Sequence, residues 1–462
     1  MKLVLASLIF ALLSTPLWAQ QSVPVFANKS DSLAYASIMK EMEKNWKDSG
    51  PMTAEKAARQ DSLLKVMRSS MDRIIGYRYV YQQTKGTTSY LTLTKENANQ
   101  VKSVSVHDYP GKKLPQEIFT CLQLEELELV NTHIRVLPKS LKKLKKLREV
   151  NLLNNVPAKG KMRFTKNKSI QEVNIRSDAS ASLPASYKNL KALETLDLSR
   201  CGTAEFPAVF NNTQLKKLVL IENKLTLEKV AFKNLPRLEE LNLQKNSIQH
   251  LPESIGELTG LKKLLLNYNA LEELPSSLGR LQQLEQLTLY QNKLTQLPAS
   301  FYSLQNLNVV DLYYNQLSKI DEALGNLTNL EVLYLSFNQL YSLPESIGQL
   351  TRLRELYLHH NKLSYLPASL GDLQHLSILR INDNSFTEFP ETVLALQGLQ
   401  NLDLSSNQLR HLPPQLQNLT NLQLLSLGKN AWEDEHEISQ LAETLEKRGA
   451  TVHTALKESV VK

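Results

Sequence analysis

Cysteines and catalytic motifs are scarce or absent in this sequence. The 462 residues include two cysteines, Cys121 and Cys201, and nine scattered histidines. The phosphate loop G-x-x-x-x-G-K-[ST], the zinc motif H-E-x-x-H and the nucleophile motif G-x-S-x-G do not occur. We therefore predict no enzyme activity, no cofactor and no metal site.

Long apolar runs are also missing after the first residues. Met1-Lys2, the apolar run Leu3–Leu13 and the small-residue site Leu17-Trp18-Ala19 together have the pattern of a secretory signal peptide. No later run approaches the roughly 18 apolar residues that a membrane-spanning helix needs. We predict a protein without a membrane span, either secreted or located in the periplasm or at the cell surface.

A 23-residue period organises most of the chain. The stretch 238–260, LEELNLQKNSIQHLPESIGELTG, is followed by copies that each begin L-x-x-L-x-L-x-x-N-x-[LI]. Leu241 and Leu243 alternate around a polar residue, which indicates a short strand with one buried face. A fixed period of this length indicates stacked repeats.

The second half of each unit favours a short helix. Leu251, Ile255 and Leu258 have helical spacing, and Pro252 precedes them where a first helical turn tolerates proline. A single unit cannot bury its leucines, whereas a stack of units can. The full repeats begin at Leu124, Leu147, Ile170, Leu193, Leu215, Leu238, Leu261, Leu284, Leu307, Leu330, Leu353, Leu376 and Leu399.

With this signature the chain resembles the leucine-rich repeat proteins. Within them it is similar to the 23-residue subclass with a leucine–proline pair, found in bacterial repeat proteins and in the Ras-group repeat proteins of plants and animals. A degenerate unit at Val101 brings the total to fourteen units, over about 70% of the chain. The resemblance implies an α/β solenoid, a horseshoe with a parallel sheet on its concave side and short helices on its convex side. The fold does not name the ligand, because side chains on one face select it.

Two kinds of position in the repeats are predicted to be structural. The asparagine that recurs once per unit, as in Asn246 and Asn269, forms in the family a ladder that satisfies backbone groups in the turn. Cys201 takes this position in its own unit, and Cys121 takes a convex leucine position in the Val101 unit. The two cysteines lie four units apart, about 19 Å at the usual strand spacing, which is too far for a disulfide.

The segments that flank the repeats are predicted to be caps, because a solenoid needs its ends covered. Residues 20–100 contain two apolar helical stripes, followed by alternating tyrosines and leucines that predict a hairpin across Lys85-Gly86. A helix ending at Gly449 and a short strand at 450–454 predict a helix-strand cap. A partner-binding role for the first segment stays open. The predicted organisation is a signal peptide at 1–19, an N-terminal cap at 20–100, the solenoid at 101–430 and a C-terminal cap with a tail at 431–462.

Positive charge concentrates in residues 139–168, which we call the basic cluster. It has eleven cations against Glu149 alone: Lys139, Lys142, Lys143, Lys145, Lys146, Arg148, Lys159, Lys161, Arg163, Lys166 and Lys168. One interpretation is weak contact with an anionic surface such as lipopolysaccharide. The alternative is a solvated convex face. Aromatic residues are not interleaved with these lysines, so a nucleic-acid partner is not predicted.

Aromatic residues gather in slots that the repeats place on the concave face. These slots are the residue between the two strand leucines of a unit and the two residues after the second leucine. On the five units from Leu261 they contain Tyr268, Tyr290, Tyr313, Tyr314, Tyr334, Phe337, Tyr357, His359 and His360. We call these nine residues the aromatic belt and predict that they bind the ligand, because aromatic residues anchor interfaces and stack on sugars. The alternative is that cross-strand pairs merely stabilise the sheet.

Three functions from different classes fit these patterns. The first is an exported, non-enzymatic recognition module that binds a protein or glycan through the concave face. The second is a structural or adhesive surface component. The third is a signalling scaffold like the Ras-group proteins, against which the signal peptide argues, since those relatives work inside cells.

Overall fold

The computed structural model describes residues 23–26, 74–81, 98–107, 112–134, 136–154, 163–176, 185–204, 214–228 and 230–454. The predicted signal peptide and most of the predicted N-terminal cap lie outside these ranges. The chain divides into two compact units, Met1–Gly202 and Thr203–Lys462.

The first unit contains a parallel sheet with an antiparallel start. Strand β1 (Val23–Phe26) pairs antiparallel with β2 (Ile74–Tyr81), and β2 pairs antiparallel with β3 (Ser103–His107). Parallel pairing then continues through β4 (Glu126–Val130), β6 (Glu149–Leu153), β8 (Glu172–Arg176) and β9 (Thr195–Asp197). The short strands β5 (Val136–Leu137) and β7 (Arg163–Phe164) form a separate parallel pair.

Strand β2 covers the tyrosines of the hairpin that the sequence predicts, but its described neighbours are β1 and β3. The second arm of that hairpin, at Leu91 and Leu93, lies outside the described residues. The hairpin itself therefore stays a prediction.

In its described residues the second unit contains eleven parallel strands: one from each of nine full repeats, one from a partial repeat that begins at Leu422, and one from the C-terminal segment. They are β10 (Lys217–Val219), β11 (Glu240–Asn242), β12 (Lys263–Leu265), β13 (Gln286–Thr288), β14 (Val309–Asp311), β15 (Val332–Tyr334), β16 (Glu355–Tyr357), β17 (Ile378–Arg380), β18 (Asn401–Asp403), β19 (Leu424–Ser426) and β20 (Thr451–His453). Equivalent residues of successive repeats pair directly, as Leu241 does with Leu264. The predicted parallel-sheet solenoid is confirmed.

The leucines of the repeat signature form the core. Leu264 and Leu266 are fully buried on one side of their strand, and Leu265 between them is partly exposed on the other. Each buried leucine contributes about 1.5–3 kcal/mol relative to an exposed one. A unit gains this burial only from its neighbours, so the stacked repeats stabilise one another.

The predicted short helices are present on the convex side, and they are of the 3-10 type. Each is a five-residue 3-10 helix, and Pro252 caps the first of them in the second unit from an extended conformation, so it precedes the helix. An α-helix is about 10 Å across, whereas neighbouring repeats follow each other at the strand spacing of about 4.8 Å. The narrower 3-10 turn lets the convex segments keep that spacing. These helices are Gln116–Thr120, Lys139–Lys143, Ala185–Asn189, Glu253–Glu257, Ser276–Arg280, Ala299–Ser303, Glu322–Asn326, Glu345–Gln349, Ala368–Asp372, Glu391–Ala395 and Pro414–Asn418.

The recurrent asparagines form a ladder of side-chain hydrogen bonds. The Asn338 Nδ2 donates to the carbonyl oxygens of Leu312, Leu335 and Ser336 at 2.9–3.2 Å. Its Oδ1 accepts from the Leu317 backbone N–H at 2.9 Å. The same pattern recurs from Asn246 to Asn407, so the turn of each repeat is joined to the turn before it.

Both cysteines are buried and unbonded to each other. The Cys201 Sγ lies 3.2 Å from the Ile175 carbonyl oxygen, 26 residues earlier in the chain. The ladder asparagines contact the carbonyl 26 residues earlier in the same way, as Asn315 does with Leu289. Cys201 therefore occupies the ladder position, as the repeat alignment predicts.

The C-terminal segment has the predicted helix and strand. Helix α1 (Glu435–Glu446) begins after Asp434, whose carboxylate accepts from the backbone N–H groups of His436 and Glu437. Gly449 adopts a φ of +93° after the helix, which favours glycine over other residues. Strand β20 then pairs with β19. Within the described ranges, no helix is both long and apolar enough to cross a membrane.

Candidate functional site

The candidate site lies on the sheet face of the second unit, by which we mean the side of the strands opposite the leucine core. Four positions per repeat reach this face: the first and third strand residues, and the two residues just before the ladder asparagine. In β14 these are Val309, Asp311, Tyr313 and Tyr314. All nine residues of the aromatic belt occupy such positions, because each repeat keeps the same register.

Seven belt residues form one contiguous network of rings. Its centre is the stack of Tyr314 on Phe337, whose ring centroids are 4.1 Å apart with an interplanar angle of 17°. On one side the network continues through Tyr290 to Tyr268, whose rings meet edge to face at 4.8 Å. On the other side it reaches both histidines. The network comprises Tyr268, Tyr290, Tyr313, Tyr314, Phe337, His359 and His360.

The other two belt residues form a separate stacked pair. Tyr334 and Tyr357 lie with ring centroids 4.6 Å apart and an interplanar angle of 13°. The Tyr357 hydroxyl donates to the Glu355 carboxylate at 2.8 Å, and the Arg380 guanidinium lies 5.8 Å from the Tyr357 ring centroid. Burial and the bond to Glu355 raise the pKa of Tyr357 above its usual range.

Glu355 is a candidate site residue outside the three slots per repeat that the sequence predicts for this face. It is the first residue of its strand and precedes the core leucine of the strand. In a strand, residues two apart share a face, so Glu355 and Tyr357 lie on the same side of the sheet. The same alternation in the sequence would have revealed it.

The belt residues that come directly before a ladder asparagine have a backbone with positive φ. The residue before the ladder asparagine has a φ of 52–59° in every repeat from Glu222 to Lys429. Tyr268, Tyr314, Phe337 and His360 hold this position in their repeats. Non-glycine residues seldom adopt this left-handed conformation, but here it recurs with many residue types. The conformation therefore belongs to the repeat turn, and it leaves Tyr268 and Tyr314 40% and 43% exposed.

The two histidines are in different environments. The His359 Nδ1 lies 2.7 Å from the Ser336 hydroxyl, and burial, together with the neighbouring His360 and Arg380 side chains, lowers the pKa of His359 to about 4. His360 Nε2 instead lies 3.5 Å from an Asp383 carboxylate oxygen. The two rings thus face different partners. In the described part of the chain, no group of three or more histidine, cysteine, aspartate or glutamate residues could hold a metal ion.

The pKa values of Tyr290, in the network, and of the nearby Asp311 carboxyl are also shifted. The Tyr268 hydroxyl donates to that of Tyr290 at 3.4 Å, and this contact, with burial, raises the pKa of Tyr290 to about 12. Burial raises the pKa of Asp311 to about 6, while the backbone N–H of Tyr313 donates to its carboxylate at 3.1 Å and lowers the pKa. Asp311 is thus a half-buried acid in the middle of the belt.

We expect Asp311→Asn to stabilise the protein above pH 6. The folded carboxyl holds its proton more tightly than the unfolded one, whose pKa is 3.8. The free energy of unfolding of the wild type therefore falls as pH rises from about 4 to 6 and stays lower above it. Removing the charge should recover about 1–3 kcal/mol at pH 8 and little at pH 4.

Urea unfolding at several pH values measures this effect. Asp403→Asn is the matched control on the same face. The Asp403 carboxylate accepts from the backbone N–H and the hydroxyl of Ser405, so this variant should be destabilised. A stability difference between Asp311→Asn and wild type that is the same at every pH would contradict the assignment.

The basic cluster lies in the first unit, and one of its cations, Arg163, belongs to strand β7. Its 3-10 helix, Lys139–Lys143, is followed by the exposed Lys145 and Lys146. Arg148 forms an ion pair with Glu125 at 3.0 Å. Arg163, Lys166 and Lys168 are exposed as well, whereas Lys159 and Lys161 lie outside the described residues.

Comparisons with known families agree with this architecture. A family model described as a leucine-rich repeat region matches residues 223–346 and 340–448. A second model, described as a BspA type leucine rich repeat region, matches residues 112–239. No curated protein matches the chain.

Solved structures with the same architecture come from several sources. A leucine-rich repeat protein of Leptospira interrogans is 26% identical with a TM-score of 0.63, and the match covers 80% of this chain and 100% of that one. A TDR receptor is 25% identical with a TM-score of 0.57, over 78% of this chain and 64% of the receptor. The Drosophila Toll–Spatzle complex, 24% identical with a TM-score of 0.58, covers 69% and 49% and shows the fold alone.

Proposed function

Since the chain is a leucine-rich repeat protein, we propose that it is an exported, non-enzymatic recognition module that binds a protein ligand through the aromatic belt. The observation that carries the proposal is the contiguous network of seven rings on the sheet face. Proteins of this family generally act as recognition modules and are typically without enzyme activity. What is specific to this chain is the location and chemistry of the surface.

The exposure of the belt supports binding over a purely structural role. Tyr268 and Tyr314 keep about two fifths of their surface accessible, so they gain only part of the burial energy of a core tyrosine. Aromatic side chains that are half exposed and already ordered by their neighbours lose little conformational entropy when a partner covers them. Tyrosine is also enriched among the residues that dominate protein interfaces.

The receptor relative supports a recognition role. It is 25% identical to the chain and has a TM-score of 0.57, and it is named as a receptor. The chain spans 64% of the length of that receptor.

Export is part of the proposal and is supported by the sequence of residues 1–19. A secreted, periplasmic or surface location would place the sheet face in contact with proteins outside the cytoplasm. In the first unit, the exposed lysines of the basic cluster support weak contact with an anionic surface as a secondary proposal.

We expect the double variant Tyr334→Ala with Tyr357→Ala to lose ligand capture. Removing the stacked pair at the β15–β16 end of the belt deletes two anchor rings, and such anchors each contribute about 2 kcal/mol or more to an interface. Capture from a native extract by the immobilised protein should fall by more than about tenfold. The melting temperature should change by a few degrees, because cross-strand pairs contribute about 0.2–1 kcal/mol.

Tyr341→Ala with Tyr365→Ala is the matched control. These tyrosines belong to the same two repeats and are each 56% exposed, but they follow the asparagine turn and lie outside the strands. The control should capture ligand like the wild type. Normal capture by the belt variant, or its unfolding, would show that the belt is not the recognition surface. A mass that rises with protein concentration in light scattering would instead favour the structural or adhesive function.

A further inference from the structure

The middle of the belt contains an acidic residue, Asp311, whose carboxylate accepts few hydrogen bonds from the chain itself. Asp311 has Thr288 beside it on β13 and Tyr334 beside it on β15, in direct register. In the described structure its only hydrogen-bond donor is the backbone N–H of Tyr313. Charged groups that are partly removed from water require a partner to offset the loss of hydration.

The Thr288 side chain on β13, next to Asp311, also lacks a hydrogen-bond partner in the described part of the chain. Thr288 is 6% exposed, and its hydroxyl has no partner among the described residues. Buried hydroxyl groups usually have partners, so one without them beside a half-buried carboxylate marks a position where a donor or acceptor is missing. Two tyrosine hydroxyls are also close enough to be affected by the Asp311 charge. Burial raises the pKa of Tyr313 and of Tyr334, and the negative charge of Asp311 raises both values further.

Positively charged side chains of the protein itself lie beside the aromatic rings at both ends of the belt. At one end of the belt the Lys245 ammonium lies 5.6 Å from the Tyr268 ring centroid. At the other end the Arg380 guanidinium lies 5.8 Å from the Tyr357 ring centroid. Cations are attracted to the faces of aromatic rings at about this distance. The chain's own cations therefore occupy both ends, and the acid at the centre has none.

The charge of the face agrees with this pattern. On the sheet-face positions of β13 to β18 there is one permanent cation, Arg380, against four acids: Asp311, Glu355, Asp383 and Asp403. The whole chain, by contrast, has a net charge of +8. This part of the face is thus acidic on a basic protein, and it favours a partner with positive charge.

From this geometry we propose that Asp311, with Thr288, Tyr313 and Tyr334 around it, forms a subsite for a cationic side chain, arginine or lysine, of the protein ligand. The carboxylate accepts the N–H groups of the cation, and the tyrosine rings beside it add attraction through their faces. This inference rests on the proposed function and specifies the chemistry of the segment that the belt recognises.

Selection of random peptides displayed on phage by the immobilised full chain tests the subsite. Peptides retained by the wild type should be enriched in arginine and lysine, and Asp311→Asn should lose the enrichment. Asp403→Asn should keep it, because that carboxylate lies four strands away and is held by Ser405. Equal enrichment by wild type and Asp311→Asn, or the absence of arginine and lysine enrichment, would overturn the inference.

A synthetic copy of a selected peptide provides a second test. Replacing its arginine with citrulline, or its lysine with acetyl-lysine, removes the charge and should weaken binding to the wild type about tenfold. The same replacement should leave binding to Asp311→Asn unchanged, since the two changes remove one interaction. Equal weakening for both proteins would overturn the subsite. The proposed function is judged separately, by capture with the Tyr334 and Tyr357 variant.

Discussion

Replacement of Asn338 by alanine is expected to lower the free energy of unfolding by about 2–4 kcal/mol. The side chain is buried and makes four hydrogen bonds to the backbone of two repeats. The carbonyl oxygens of Leu312 and Leu335 keep a second donor from the neighbouring ladder residues, Asn315 and Asn361. The Leu317 N–H loses its acceptor, and a buried donor without a partner costs about 1–3 kcal/mol.

The defect should also change how the protein unfolds. Each repeat is stabilised mainly by its neighbours, so a weak interface in the middle of the stack can separate the unfolding of the two sides. Urea titration followed by circular dichroism should show a broader or two-step transition, and the Leu317 amide should exchange faster. Asn306→Ala is the control, because Asn306 is exposed and donates to a single carbonyl, that of Gln282. Equal stability of the two variants would contradict the role of the ladder.

Replacement of Gly348 by alanine is expected to destabilise the convex side by about 1–3 kcal/mol. A Cβ atom at Gly348 would lie 2.5 Å from the backbone oxygen of Ser369 and 2.7 Å from its Cβ, which is closer than such atoms approach. Ser369 belongs to the 3-10 helix of the next repeat, and its hydroxyl donates to the Glu345 carbonyl. The added methyl group must therefore push two hydrogen-bonded repeats apart.

Gly260→Ala is the matched control for this change. A Cβ atom at Gly260 would lie 3.5 Å from its nearest neighbour, the Pro236 carbonyl oxygen, which is ordinary contact. Its stability should stay within about 0.5 kcal/mol of the wild type. Thermal and urea unfolding of both variants measure the difference. A Gly348→Ala protein as stable as Gly260→Ala would show that the repeats can shift at little cost.

The candidate site is partly predictable from sequence because register is fixed by the repeats. Once the strand leucines are aligned, Tyr313 and Tyr357 must lie on the face opposite the core, since side chains alternate along a strand. The alignment of the repeats does not predict which aromatic rings contact each other. Tyr334 stacks on Tyr357 and stays apart from the seven-ring network, because that depends on side-chain rotamers and on contacts across strands.

The sequence alone determined the repeat and its buried leucines, because a 23-residue period places equivalent residues in the same environment in every unit. The resemblance to leucine-rich repeat proteins added the parallel sheet and the asparagine ladder as expectations. Tertiary structure decided the rest. The strand spacing selects 3-10 helices over α-helices on the convex side. The packing of neighbouring side chains half buries the Asp311 carboxyl and raises its pKa, an effect that depends on distances in three dimensions and not on spacing along the chain.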